Sequence, residues 1–237
     1  NWNISAKQNS IYINTYKEEK EQSIFFLIDV SKSQEIGNKE VNKINISKEI
    51  CSVLTLSAIR ENNQVGLICF SDIKEKYIKP SKGISHGYSI IKNLYNLKTK
   101  SNNTDLNKLI NFSMNAIKKK SIIILISDLF DDPQKILSGL QHFRYNGHEV
   151  IVFHILDTQE LNLNFSKRTK FKDMESGEEI TTDPWHIQKD YQKNIQLFCT
   201  HLKENCMKNK IDYIRISTNS PLDIALSEYL IKRKNQI

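Results

Sequence analysis

The sequence lacks the cysteine and histidine spacings of common disulfide and metal sites. Its cysteines are Cys51, Cys69, Cys199 and Cys206, with no CxxC pair among them, and its 6 histidines show no HExxH spacing. If Cys199 and Cys206 share a helix, they are about 10 Å apart along its axis, which is too far for a disulfide. We therefore expect neither a zinc site nor a disulfide, and reduced cysteines favour a cytoplasmic protein.

Long apolar runs and a phosphate-binding loop are also missing. No apolar run approaches the ~20 residues that a helix needs to span a bilayer, so no membrane span is expected, and no signal peptide opens the chain. The first residue is Asn1 rather than Met, so an upstream anchor stays an open alternative. The absence of a GxxxxGK loop weakens the case for a phosphoryl-transfer enzyme.

Arginine is scarce compared with lysine. The only arginines are Arg60, Arg144, Arg168, Arg215 and Arg233, although Lys and Arg together number 34 and the formal net charge is +7. The lysines are spread along the whole chain and form no single basic block. This distribution permits contact with an acidic surface, but it does not favour nucleic-acid binding.

Strand-like and helix-like segments alternate along the chain. Short apolar runs predict buried strands at 24–28, 64–71, 121–128, 149–156 and 211–216, and 76–80 is predicted to be a hairpin partner or an edge strand ended by Pro80. Helical spacing predicts helices at 38–61, 86–97, 104–118, 133–145, 187–202 and from 221 onward. The alternation predicts an α/β fold with a doubly wound, mostly parallel central sheet flanked by helices.

The length of 237 residues suits one domain that spans residues 1–237. We expect residues 1–20 to form an N-terminal extension that adds to the sheet edge or packs beneath it. Residues 157–183 lose the strand and helix periods and are expected to form an irregular excursion or a hairpin. The first long helix should bury Val41, Ile44 and Cys51 on one stripe.

Oxygen-bearing side chains follow two of the predicted strands. Asp29, Ser31 and Ser33 follow the first strand at every second position, Asp128 ends a later strand, and Thr104 stands on a loop between them. Because the carboxyl ends of parallel strands share one sheet edge, we expect these side chains to meet there. Oxygen ligands favour Mg²⁺, with Mn²⁺ or Ca²⁺ as alternatives. In the competing interpretation, the same side chains only hydrogen-bond the turns and cap helices.

These five residues, in this order and on these elements, resemble the complete metal-ion-dependent adhesion site (MIDAS) of von Willebrand factor A domains. In that family two serines and a threonine contact Mg²⁺, while the aspartates act mostly through water or hydrogen bonds. One coordination position stays open for a partner's Asp or Glu carboxylate. The resemblance implies a von Willebrand A-like, and so Rossmann-like, fold in which Ser31, Ser33 and Thr104 contact the ion.

The chain also resembles a bacterial family known by number as domain of unknown function fifty-eight. The segments that carry this resemblance are Trp2 with Ser5-Ala6, Asp29 to Ser33, Gly37 and Lys39, Val65 to Phe70, Thr104 to Leu106, Ser127-Asp128, Asp157 with Glu160, and Asp173 with Glu175, Gly177 and Glu178. Members usually have Met after the second serine, where this chain has Gln34. Such proteins are often encoded beside MoxR-type AAA+ ATPases, which implies an adaptor role in ATPase-driven assembly or remodelling.

Together these observations lead to a metal-dependent protein-interaction module without catalysis of its own. The enzymatic alternative is a Mg²⁺-dependent phosphatase or phosphotransferase with Asp29 as nucleophile. Against it, Ser31 stands where a second carboxylate would be needed, and no His is predicted on these loops to act as a base. A third alternative is a metal-free scaffold whose polar loops only cap helices.

Overall fold

The computed structural model of the protein describes residues 22–37, 41–71, 74–97, 106–163, 169–172, 179–182 and 184–234. The expected N-terminal extension at 1–20 and the candidate ligand Thr104 lie outside this part of the chain.

Strands and helices alternate through the described residues. The strands are β1 (Ser23–Asp29), β2 (Gln64–Phe70), β3 (Lys74–Ser81), β4 (Ile122–Ser127), β5 (Glu149–Leu156), β6 (Thr169–Lys172), β7 (Glu179–Thr182) and β8 (Asp212–Ser217). The helices are α1 (Lys43–Arg60), α2 (Ile84–Tyr95), α3 (Leu106–Ala116), α4 (Pro133–Tyr145), α5 (Thr158–Asn162), α6 (Pro184–Lys208) and α7 (Leu222–Lys234), and a 3-10 helix covers Lys32–Glu35.

Six strands form one sheet in the order β3-β2-β1-β4-β5-β8. All neighbouring pairs are parallel except β2 and β3, which pair antiparallel at one edge. The chain winds from β1 toward β2 in one direction and from β4 toward β5 and β8 in the other. The sequence-based prediction of a doubly wound, mostly parallel sheet with flanking helices is confirmed.

Apolar side chains cover both faces of the sheet, as expected of buried parallel strands. Successive β1 residues alternate between the faces. Phe26 and Ile28 belong to the core under α1, α2 and α7. Phe25 and Leu27 belong to the core under α3, α4 and α6. The sheet is therefore held between two helical layers, and polar groups of its loops collect at the strand ends.

One local prediction was wrong, and another differed from the structure only at a strand end. Helix α1 begins at Lys43 rather than near residue 38, because the Asn42 side chain accepts a hydrogen bond from the Asn45 backbone N–H and caps the helix there. Val41 therefore precedes the helix and is 43% exposed instead of buried. The predicted hairpin partner or edge strand is present as β3, which ends at Ser81, one residue after Pro80, as an edge strand tolerates.

The segment after β5 contains a short helix that the sequence pattern did not predict, followed by an antiparallel strand pair of the kind expected between residues 157 and 183. It begins with α5, and β6 and β7 then pair antiparallel as a separate two-stranded sheet. No helix among the described residues is long and apolar enough to cross a membrane.

Candidate functional site

The candidate site lies where the winding of the sheet changes direction. Strands β1 and β4 are parallel neighbours in the middle of the sheet, so their carboxyl ends meet at one edge. Asp29 is the last residue of β1, and Asp128 directly follows β4. Open α/β sheets commonly bind their ligands at such a switch point.

Asp29 is buried, and both of its carboxylate oxygens accept hydrogen bonds. Its Oδ1 accepts from the Ser31 backbone N–H at 3.0 Å, and its Oδ2 accepts from Ser127 Oγ at 2.9 Å. Burial, and second the nearby charge of Asp128, raise the pKa of Asp29 to about 6. Asp29 thus orders the loop that carries the two serines, at the expense of holding a carboxylate away from water.

The hydroxyl groups of Ser31 and Ser33 lie beside Asp128. The two Oγ atoms are 3.0 Å apart, and Ser33 Oγ donates to Asp128 Oδ2 at 3.0 Å. An octahedral Mg²⁺ shell with Mg–O distances of about 2.1 Å has neighbouring oxygens about 3 Å apart, so this spacing suits such a shell. The same spacing is also that of an ordinary hydrogen-bonded chain.

The turn after β4 aims Asp128 at the serines and carries backbone strain. Leu129 is buried and has a φ of 53°, which non-glycine residues seldom adopt. Its N–H donates to Ser127 Oγ at 3.0 Å, which holds the strained turn in place. Strain of this kind is frequent at binding and catalytic sites.

His154 on β5 supports the same turn and was missed by the sequence analysis. It is fully buried, and burial lowers its pKa to about 4, so its ring is neutral near pH 7. A neutral ring Nε2–H donates to the Asp128 backbone oxygen at 2.7 Å. The one signal in the sequence was a single polar residue within the apolar run of β5.

Lys43 is the second residue that the sequence analysis missed. Its ammonium donates to Asp128 Oδ2 at 2.7 Å and to Glu160 Oε1 at 2.6 Å, and its side chain is 0% exposed. Burial by itself would lower the pKa of Lys43, but the charges of Asp128 and Glu160 outweigh burial and raise it. The site therefore contains a permanent positive charge of its own.

Gln34 lies immediately after the second serine and is also fully buried. Neither its side-chain nitrogen nor its side-chain oxygen has a hydrogen-bond partner. An unpaired buried amide is costly, so this position is a weak point in the loop.

The structure brings together Asp29, Ser31, Ser33 and Asp128, four of the five predicted site residues. Within the described ranges, no group of three or more His, Cys, Asp or Glu side chains could hold a metal ion. A site of the predicted kind differs from such a group because hydroxyl oxygens supply part of its ligand set.

Comparisons with known proteins agree with the fold. BatB from Bacteroides thetaiotaomicron superposes with a TM-score of 0.62 at 16% identity, covering 90% of this chain and 99% of that one. An aerotolerance-related membrane protein from Bacteroides fragilis gives a TM-score of 0.60 at 16% identity, with coverages of 89% and 99%. The SpRpn10 VWA domain gives 0.50 at 11% identity, with coverages of 88% and 95%.

At these identities the structural matches show the fold alone. Comparison with curated proteins gave no match. The family described as "Protein of unknown function DUF58" matches residues 1–197, which is most of the chain. The protein therefore belongs to the DUF58 family, and its fold is von Willebrand factor A-like.

Proposed function

We propose that the protein is a metal-dependent protein-interaction module. In this proposal Asp29, Ser31, Ser33, Thr104 and Asp128 form a Mg²⁺ site that binds an Asp or Glu carboxylate of a partner protein. The observation that carries it is the spacing of three oxygens, from Ser31, Ser33 and Asp128, at the switch point of the sheet.

The residue types suit adhesion better than chemistry. When bound, Mg²⁺ would supply a positive charge and a position for an anionic ligand. Ser31 and Ser33 are neutral ligands and would leave most of that charge unneutralised. Asp29 would orient the serine loop through its hydrogen bond to the Ser31 N–H. Both ring nitrogens of His154 already make hydrogen bonds, Nε2–H to the Asp128 backbone oxygen and Nδ1 with the Tyr213 hydroxyl, which does not favour this residue as a general base.

The surroundings support a protein partner. The net charge of +7 attracts acidic surfaces at long range. Phe130, two residues after Asp128, is 43% exposed and stacks on Phe198 at 6.4 Å between ring centroids. An exposed aromatic ring beside a carboxylate-binding position offers apolar contact to a docking protein. Through the family resemblance we further propose that the partner belongs to a MoxR-type AAA+ ATPase system.

The enzymatic alternative is less compatible with the geometry. Asp29 would have to attack phosphorus, yet it is 1% exposed and both of its carboxylate oxygens accept hydrogen bonds. The purified protein with Mg²⁺ should therefore not hydrolyse phosphoesters. Hydrolysis that disappears in Asp29→Asn would favour the enzyme.

One observation favours the metal-free scaffold as a second candidate. Lys43 already neutralises Asp128, so the polar loops have a stable arrangement without any added ion. The two candidates differ in whether a divalent cation binds and whether partner capture needs it.

The metal part of the proposal is tested by titrating Mn²⁺ or Mg²⁺ into the protein and measuring heat. The double variant Ser31→Ala/Ser33→Ala removes two neutral ligands without changing charge and should lose most of the binding. Ser138→Ala, on the exposed surface of α4, is the matched control and should bind as the wild type does. Equal cation binding by the double variant and by Ser138→Ala would mean that the cation binds at another site.

The partner part is tested by affinity capture from a native cell extract with Mg²⁺ or with EDTA. Captured proteins that depend on the site should disappear with EDTA and in Ser33→Ala and Thr104→Ala. Circular dichroism should be unchanged in both variants, because neither substitution alters charge or a main-chain conformation. Capture that survives EDTA and both substitutions would contradict the proposed binding mode.

A further inference from the structure

Lys43 occupies an unusual position for a lysine. It is the first residue of α1, and its side chain is completely buried. A positive charge at a helix N-terminus is opposed by the helix dipole, and a buried charge loses its hydration. Two carboxylates, Asp128 and Glu160, offset both penalties, and the Phe130 ring lies 5.4 Å from the ammonium.

The ammonium shares an acceptor with the serine loop. Asp128 Oδ2 accepts from Lys43 Nζ at 2.7 Å and from Ser33 Oγ at 3.0 Å. A divalent cation beside the serine hydroxyls would therefore lie close to an existing cation and would compete with it for the same carboxylate oxygen. Like charges this close repel each other, so the ammonium opposes entry of the cation.

We infer that Lys43 is an internal counterion that neutralises Asp128 when no divalent cation is bound and lowers the affinity of the site for one. The inference rests on the proposed function, because it concerns the same site. It assigns regulation of that affinity to a residue that contributes no ligand atom. It also predicts that removing the buried charge of Lys43 should strengthen cation binding, whereas the loss of a buried residue usually weakens a site.

Glu160 also contacts the Lys43 ammonium and therefore affects the interaction between Lys43 and Asp128. Its Oε1 binds Lys43, while its Oε2 accepts from the Asp157 backbone N–H and completes the capping box of α5. Glu160→Gln keeps an oxygen for the cap but removes a negative charge beside Lys43. The ammonium is then less compensated, so this variant should bind a cation more weakly than the wild type.

The experiment is a calorimetric titration with Mn²⁺ alone, on the full chain at about pH 7.5. Lys43→Met keeps most of the length of the side chain and removes its charge, and it should bind Mn²⁺ at least about tenfold more tightly. The matched control is Lys48→Met. Lys48 lies on the same helix and is 8% exposed, but its ammonium is near the Leu97 backbone oxygen and the Tyr95 ring. This control should leave the Mn²⁺ affinity unchanged.

Lys43→Met leaves two carboxylates without their cation and can impair folding. Circular dichroism would detect impaired folding of Lys43→Met. In that case the double variant Lys43→Met/Glu160→Gln is used instead, because it removes one charge of each sign. The double variant should still bind Mn²⁺ more tightly than Glu160→Gln. Glu160→Gln itself should bind Mn²⁺ at least about threefold more weakly than the wild type. Tighter Mn²⁺ binding by this variant would overturn the inference.

The outcomes separate this inference from the proposed function. If the wild type binds Mn²⁺ and Lys43→Met binds no more tightly, the inference is wrong and the proposed function stands. If only Lys43→Met binds, the inference is supported and the metal dependence of the native protein is wrong. If neither the wild type nor Lys43→Met binds Mn²⁺, the inference and the proposed function are both wrong.

Discussion

Asp29 is a carboxyl group held where its charge is disfavoured. The pKa of Asp29 is raised from 3.8 to about 6, chiefly by burial and then by Asp128. The carboxyl proton of Asp29 is therefore bound more tightly in the folded state than in the unfolded state. Without a divalent cation, the contribution of Asp29 to stability should fall as pH rises from about 4 to about 6, by about 2–3 kcal/mol, while His154, whose pKa is lowered to about 4, contributes a change of opposite sign over the same range.

The variant Asp29→Asn removes this titration while keeping groups that can bond Ser31 and Ser127. In EDTA it should be more stable than the wild type at about pH 7.5, by up to about 2–3 kcal/mol, and equal to it near pH 4. Urea unfolding at both pH values measures the difference. Asp190→Asn, an exposed carboxyl on α6, is the control. Lower stability of Asp29→Asn at the higher pH would mean that the carboxylate's hydrogen bonds outweigh its burial.

Gln34 offers a second test on a single side chain. Its buried amide has no partner, so Gln34→Met, which fills a similar volume without polar atoms, should raise the free energy of unfolding by about 1–3 kcal/mol. The exposed Gln134 on α4 gives the control Gln134→Met, expected to change stability by less than about 0.5 kcal/mol. A loss of stability in Gln34→Met would show that the amide is satisfied in solution.

The connection from the 3-10 helix to α1 depends on Gly37. Its φ is 125°, and an added Cβ would lie 2.6 Å from the Val41 backbone oxygen and 2.9 Å from Asn42 Cα. Gly37 pairs with Asn42 in an isolated β-bridge, and both lie between Ser33 and Lys43 in the chain, so a shift at Gly37 would change the distance between the serine loop and the lysine. Backbone atoms cannot yield to a new methyl group as a flexible side chain can.

Gly37→Ala should therefore destabilise the protein by more than about 2 kcal/mol and weaken Mn²⁺ binding as well. Gly83→Ala is the matched control, since Gly83 has a φ of 94° but no atom within 4 Å of an added Cβ. This variant introduces backbone strain without a close contact, and it should cost about 1–3 kcal/mol with unchanged Mn²⁺ binding. Equal losses from the two variants would mean that the close approach at Gly37 relaxes freely.

Binding of a cation to the folded chain alone should stabilise the whole molecule. A ligand at about 100 times its Kd adds about 2.7 kcal/mol, which corresponds to about 5–10 °C in Tm for a chain of this size. Mg²⁺ should produce this shift in the wild type, and EDTA should reverse it. NaCl at the same ionic strength should not, although the net charge of +7 makes this control necessary. An equal shift with NaCl would indicate general screening instead of a site.

The order of strands and helices could be predicted because it follows from local patterns. Apolar runs such as 122–127 and 149–156 have the length and composition of buried strands, and their alternation with helices leaves few ways to build a sheet. The positions of Asp29, Ser31, Ser33 and Asp128 followed from the same rule, since parallel strands bring their carboxyl ends to one edge.

The start of α1 was predicted less well because Asn42 competes with the helical pattern around it. Its side chain caps the helix from a position that the apolar spacing alone would include in it. Apolar periodicity indicates which residues can be buried, whereas the position of a helix cap depends on a single hydrogen bond.

The charge of the site was decided only by the tertiary structure. Lys43 meets Asp128 across 85 residues and Glu160 across 117, and His154 reaches the Asp128 backbone from a neighbouring strand. No local pattern marks such partners, because burial of an ion depends on which opposite charges the packed sheet brings within hydrogen-bond distance. Local sequence thus determined which oxygens gather at the sheet edge, and long-range packing determined that an ammonium lies among them.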